Sequence, residues 1–225
     1  MAAVLDKPLS LEDLRPASFD EMVRQAAVVA RLRALADGVR HRTIVPTHLL
    51  FHGPPGVGKT TAARAFGRLV LGEEFENSFH HLASYDDRGG HRMRTALVPL
   101  SRRPPSRAAP FRILFLDDAD SLEPEAQDAL RPALENESGS TVFILACNSL
   151  RRIARPIQSR CTVLTFDPLA RPEMERLVAE LGRKAGVALS GPEVARLLDR
   201  SHGIPREAAK LLIEARAAGA SPPPG

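Results

Sequence analysis

Hydrophobic residues in the first three quarters of the chain fall into short, dense runs separated by helical patterns. His48 to Phe51, Phe79 to Ser84, Phe111 to Leu116, Thr141 to Ala146 and Cys161 to Phe166 are rich in β-branched, aromatic or aliphatic residues. They are too short for helices and read as five strands. Phe19 to Ala36 instead places Met22, Val23, Ala26, Ala30 and Leu32 at helical spacing, and Lys59 to Leu71 and Pro124 to Leu134 also read as helices. Proline is tolerated in the first turn of the last of these. Strands alternating with helices imply a parallel sheet covered on both faces. Beyond Asp167-Pro168 and Arg171-Pro172 the pattern changes, and every segment reads as helix. Met174, Leu177, Val178 and Leu181 form one stripe, Val194, Leu197 and Leu198 a second, and Ala208, Leu211, Leu212 and Ala215 a third. No one of these helices can bury its stripe alone, so the three are expected to pack together. The expected division is 1–168 for the α/β part, 169–218 for a three-helix domain and 219–225 for a frayed tail.

With 225 residues, 44% hydrophobic, the chain can bury a substantial core. No apolar run is long enough for a membrane span. The N-terminus lacks the basic-then-apolar pattern of a secretory signal, so a reducing cytosol is expected. Cys147 and Cys161 cannot by themselves make a disulfide framework or a four-ligand zinc site. The net charge of +4 is too mild to announce nucleic acid. Its distribution says more: seven arginines and no acid lie between Arg88 and Arg112. That block is either a solvated loop or a phosphate-contacting surface.

Gly53-Pro54-Pro55-Gly56-Val57-Gly58-Lys59-Thr60 fits the phosphate-loop pattern and lies between a strand and a helix, as that motif requires. The glycines let backbone N–H groups converge on an anion, and the helix N-terminus adds its positive end. Lys59 would reach the β- and γ-phosphates, the Thr60 hydroxyl would hold Mg²⁺, and Thr61 follows in the same cradle. Ile113 to Asp120 is a buried strand delivering acids at its C-terminal end, where open α/β sheets bind ligands. Asp117 would hold the metal through water, and Asp118 would act as general base. A plainer reading has Asp120 or Ser121 capping the next helix. Asn148 ends another apolar strand and could orient water or contact the γ-phosphate, or simply make a turn. Arg160 precedes a strand. Arg206 sits in the first turn of the last helix, where a cation opposes the helix dipole and a phosphate would relieve it. Both could equally be surface arginines.

Taken together, these segments resemble the AAA+ ATPases and, within them, the small subunit of the sliding-clamp loader, replication factor C. The resemblance covers residues 10–215 approximately. It rests on Leu14-Arg15-Pro16 with Phe19 to Gln25, on the phosphate loop, on Ser84 to Gly89, on Asp117-Asp-Ala-Asp120, on Glu125 to Arg131, and on Pro156-Ile-Gln-Ser159-Arg160-Cys161. It implies a P-loop core with a five-stranded parallel sheet and a three-helix lid. Arg15 and Val23 would lie near the adenine, and Asn148 would read the γ-phosphate. Arg160 would act as an arginine finger on ATP held by a neighbouring subunit, and Arg206 would sense nucleotide from the lid. Gln127 and Arg131 would couple neighbouring subunits. Arg88, Arg92 and Arg94 would track the DNA backbone, a contact without sequence information.

The implied activity is ATP hydrolysis with Mg²⁺ at subunit interfaces, driving a clamp onto primer–template DNA. The implied partners are other loader subunits, the sliding clamp and DNA, with no membrane, in the cytoplasm or, in a eukaryote, the nucleus. An ATP-binding subunit that barely hydrolyses, or another AAA+ DNA motor such as a branch-migration helicase, are the alternatives. Four departures matter, one of them that Ser10, Asp13 and Leu14 stand where the family carries aromatic and Lys or Tyr residues before Arg15-Pro16. Asp118 stands where the family carries Glu, and a carboxylate withdrawn by about an ångström can cost on the order of 10²-fold in rate. Arg24 replaces a glycine. The family's helical collar domain lies beyond this sequence, so either the sequence is truncated or ring contacts come from partners.

Overall fold

The computed structural model describes residues 8–22, 25–83, 91, 95, 97–106, 108–135 and 140–217. Among these, five strands form one sheet: β1 (His48–His52), β2 (Phe79–Ala83), β3 (Arg112–Asp117), β4 (Thr141–Cys147) and β5 (Cys161–Thr165). Their order is β2-β3-β4-β1-β5 and each pairing is parallel. His52 lies beside Cys147, and Leu116 beside Leu145. The C-terminal ends of β1, β4 and β3 are therefore adjacent, which brings the residues that follow each strand to one edge.

β4 shows why these runs are continuous rather than alternating in polarity. Val142, Ile144 and Ala146 enter one core, with α1 (Ala26–Arg40) and α2 (Lys59–Leu71). Phe143, Leu145 and Cys147 enter the other, with α4 (Val98–Arg102), α5 (Pro124–Leu134) and α6 (Arg155–Gln158). A strand buried on both faces needs apolar residues at every position. Phe75 of the single-turn α3 (Phe75–Ser78) closes the first core, stacked on Phe79 at 4.9 Å. Both cysteines are free, and burial pushes their thiols up to about 12, so they pack as small apolar groups.

The last three helices are α7 (Arg171–Ala185), α8 (Gly191–Ser201) and α9 (Pro205–Ala217). Their stripes make a separate third core, to which Leu14 of the N-terminal segment contributes. Among the described residues, Arg206 N–H donates to Gly56 O (3.3 Å), joining α9 to the loop after β1, while Leu169 N–H donates to Gly203 O (2.8 Å) and holds the connecting segment against the helices.

The first helix differs from its expected extent. It begins at Ala26 rather than Phe19, because Gln25 is left-handed (φ 60°) and interrupts helical geometry. The apolar spacing of Phe19 and Met22 is met by a turn, with Met22 N–H donating to Phe19 O. The Gln25 amide reaches across to Asp167 O at 2.6 Å and ties this turn to the start of the helical part. Residues 219–225 lie outside the described residues.

Candidate functional site

Residues 53–58 join β1 to α2 with three glycines at positive φ, and at two of them a side chain would also collide. A Cβ on Gly53 (φ 153°) would lie 2.0 Å from Phe166 O. A Cβ on Gly56 (φ 83°) would lie 2.7 Å from Ile204 Cγ2 and 3.0 Å from Arg206 Cβ. The loop is thus pressed between the end of the sheet and the start of α9. Gly58 starts α2 without a side-chain cap, leaving helix N–H groups available for an anion. Lys59 is buried, and its ammonium donates to Gly53 O (2.6 Å), Pro54 O (2.9 Å) and Asn148 Oδ1 (3.0 Å). Burial lowers its pKa, against the opposing pull of Asp117, Cys147, Asp118 and Asp120. The charge is folded back onto its own loop, where an arriving anion would find a partly desolvated cation.

The acidic segment meets this loop directly. Thr60 Oγ1 donates to Asp117 Oδ2 at 2.7 Å, and the Asp118 N–H donates to Asp117 Oδ1 at 3.1 Å. Burial alone would raise the Asp117 carboxyl. Hydrogen bonding from His81 and Thr60, with the nearby His81 ring, outweighs it and leaves the group below the usual carboxylate range. Asp118 is left-handed (φ 52°), which ends the strand and turns its carboxylate toward Asn148, whose Nδ2 lies 3.4 Å from Asp118 Oδ1. Asn148 therefore bridges Lys59 and Asp118. Asp120 does not cap α5, contrary to the plainer sequence reading. Its Oδ2 accepts the N–H groups of Asn148 (3.2 Å) and Ser149 (3.1 Å), which fixes the end of β4 against the acidic turn.

A cavity of about 460 Å³ lies over this cluster. Its floor comprises Pro55 to Thr61, Asp117, Asp118 and Asn148. Arg15 and Met22 line one side, and Leu177, Lys184 and Arg206 the other. Gly53 and Pro54 do not line it; their carbonyls hold Lys59. A salt bridge closes the rim: Lys184 Nζ on α7 lies 2.7 Å from Glu21 Oε2 and holds that carboxyl below its usual range.

Arg160 is not among the cavity-lining residues. Its guanidinium donates to Glu135 Oε1 (2.6 Å) and Pro156 O (2.7 Å), half-buried at the surface. Gln127 departs from its expected outward role. It is buried, donates to Leu122 O and Arg152 O, and accepts the Ala154 N–H, so it staples α5 to the start of α6. Arg131 stays exposed, 3.7 Å from Asp128. Val23, Arg88, Arg92 and Arg94 lie outside the described residues. Sequence reasoning missed His81, Glu21, Lys184 and Glu135. Their one signal is isolated polarity on or beside an element, which does not distinguish them from other surface groups.

A phosphate loop after β1, an acidic turn after β3 and a polar amide after β4, all on one edge of a 2-3-4-1-5 parallel sheet, define the P-loop nucleotide-binding class. A sequence profile of the ATPase family associated with various cellular activities (AAA) matches residues 49–169, and the chain belongs to that family. It is 40% identical over 209 residues to the replication factor C small subunit of Archaeoglobus fulgidus, covering 93% of this chain and 64% of the relative. It is 38% identical over 206 residues to replication factor C small subunit 1 of Pyrobaculum arsenaticum, covering 92% and 61%. The chain thus spans less than two thirds of the length of these relatives. Among solved structures, the fold resembles the Thermotoga maritima RuvB Holliday junction branch migration motor (TM-score 0.75, 22% identity, 91% of this chain and 66% of the other). No helix among the described residues is long and apolar enough to cross a membrane.

Proposed function

We propose that the chain is an ATPase subunit of a sliding-clamp loader, binding ATP in the 460 Å³ cavity and offering Arg160 to the ATP of a neighbouring subunit. The observation that carries this reading is an asymmetry. Lys59, Thr60, Asp117, Asn148 and Arg206 gather at one cavity, while Arg160 of the Ser159-Arg160-Cys161 segment is held apart from it on Glu135. The replication factor C relatives support the assignment. Residues 1–168 would be the nucleotide-binding domain and 169–218 the lid.

The Thr60 hydroxyl and Asp117 carboxylate, 2.7 Å apart, are hard oxygen donors that suit Mg²⁺. When bound, Mg²⁺ would supply charge neutralisation on the phosphates. The protein's own groups do the rest. Lys59 would exchange the Gly53 and Pro54 carbonyls for phosphate oxygens, and Arg206 would meet the phosphates from the lid. Arg15 and Met22 line the side where the base would lie. Asp118 would accept the proton of the attacking water, which Asn148 orients. Arg88, Arg92 and Arg94 would contact the DNA backbone by charge alone.

The test is ATP turnover measured with partner subunits, with and without sliding clamp and primed DNA. Stimulation by clamp and DNA is expected; no stimulation by either overturns the reading. A second reading, a subunit that binds ATP but scarcely hydrolyses it, is favoured by one observation: the short Asp118 side chain is engaged by Asn148 at 3.4 Å. Asp118→Glu separates the two. A large gain in turnover supports the second reading, and a loss supports the first.

A further inference from the structure

We infer that Lys210 on α9 is a second lid cation for the polyphosphate, one helical turn beyond Arg206, and that Glu207 holds it until a nucleotide arrives. This rests on the nucleotide reading of the same cavity. Among the described residues, three cations of the helical part line that cavity: Lys184 on α7, and Arg206 and Lys210 on α9. They differ in what already neutralises them. Lys184 lies 2.7 Å from Glu21 and 3.9 Å from Glu180, and both acids line the cavity with it. Its charge is balanced inside the site, so it adds little net attraction for an anion. Lys210 Nζ instead donates to Glu207 Oε1 at 2.9 Å, a carboxylate on its own helix that is not among the cavity-lining residues.

The placement of Lys210 follows from the helix. Arg206 and Lys210 are four residues apart, so they stand one above the other on one face. Ala209, between them, is buried in the third core and also lines the cavity. The helix starts at the phosphate loop, where Arg206 N–H donates to Gly56 O at 3.3 Å. Four residues rise about 6 Å. Lys210 therefore stands about one turn farther along the cavity wall than the residue that touches the loop. The competition between its two acceptors decides what it does. An i, i+3 pair of half-exposed groups shifts an equilibrium only about twofold. A phosphate carries as much charge as a carboxylate or more, with more acceptor oxygens, and an ammonium is a point charge on a flexible stem. Lys210 can turn from one acceptor to the other without moving the helix. The lid thus gains a contact that exists only when the ligand carries phosphate.

The experiment measures binding of ADP and of adenosine to the full chain, by displacement of a fluorescent ADP analogue at fixed magnesium and low salt. Lys210→Gln should weaken ADP about threefold to tenfold and leave adenosine within about twofold. Lys210→Arg keeps the charge and should hold ADP binding within about threefold of the wild type. Glu207→Gln removes the competing carboxylate and should tighten ADP by about twofold, a gain that a merely structural pair does not produce. The proposal is overturned if Lys210→Gln leaves ADP binding unchanged, if it weakens ADP and adenosine by the same factor, or if Glu207→Gln weakens ADP as Lys210→Gln does. Both side chains are about half exposed, so the variants should melt near the wild-type temperature. ADP binding that ignores Lys210 sinks only this role. A wild-type chain that binds no ADP sinks the nucleotide reading as well.

Discussion

On the sheet side of the cavity, Lys59 and Asp117 are anchored by buried or half-buried hydrogen bonds, and the turn around Asp118 and Asn148 by more exposed ones. Lys59 has three partners, Asp117 is held by Thr60 and the Asp118 N–H, and Asn148 is gripped through its backbone by Asp120. On the helical side, the contacts among the described residues include the main-chain hydrogen bond from Arg206 to Gly56, the packing of Leu14 and Ile204, and an ion pair between partly exposed groups, Lys184 and Glu21. The difference teaches where rigidity is placed. Buried hydrogen bonds to charged groups contribute roughly 1.5–3 kcal/mol each. Surface ion pairs contribute about 0–1 kcal/mol and weaken in salt. One wall is held by hydrogen bonds to charged groups, while the ion pair on the other wall is weak and salt-sensitive; under the proposed function that pair is the contact easiest to break when a nucleotide enters or leaves.

Replacing the central group of the hydrogen-bonded wall should have the largest effect. Lys59→Ala should lower nucleotide affinity about 100-fold, since a charge-assisted contact is lost inside a desolvated cradle. Titration with a fluorescent nucleotide checks this, and a change under threefold would show that Lys59 does not face phosphate. An intermediate effect is expected where the two walls touch. Gly56→Val introduces a Cβ 2.7 Å from Ile204 at positive φ, which should cost on the order of 1–3 kcal/mol of stability. Thermal melting should fall, and nucleotide should restore less of the loss than in the wild type.

The smallest effect belongs to the ion pair. Lys184→Ala should speed nucleotide release only a few-fold, and the wild-type release rate should rise toward that of the variant at high salt. The same pair predicts a pH dependence. Glu21 has its carboxyl lowered by Lys184 in the folded protein. The contribution of the pair is therefore fully present above the unfolded carboxylate value and is lost as pH falls through the folded one. Release rates measured from neutral pH into the acid range should rise there in the wild type and stay flatter in Lys184→Ala.

The anchoring contrast also explains what was readable in advance. Strands β1, β3 and β4 announce themselves because both faces of their central stretches are buried, so the residues there are apolar in succession. The phosphate loop and acidic turn were legible because their chemistry sits in contiguous residues at the strand ends. Helices α2 and α5 fall within their predicted bounds because a glycine or proline fixes each start. The early start expected for α1 failed because Gln25 adopts a left-handed backbone for a partner 142 residues away.

What the sequence by itself determined is therefore local: which segments are strands, where the glycines bend the chain, and which side chains follow each strand. Hydrophobic period and backbone sterics act over a few residues and leave their mark there. Only the tertiary structure decided that Asp120 holds Asn148 rather than a helix end, that Gln127 is spent inside the chain, that Glu135 holds Arg160, and that His81 stands beside Asp117. Each of these pairs joins groups from different elements, some tens of residues apart. Strand order and register set their distances, and no local pattern encodes either.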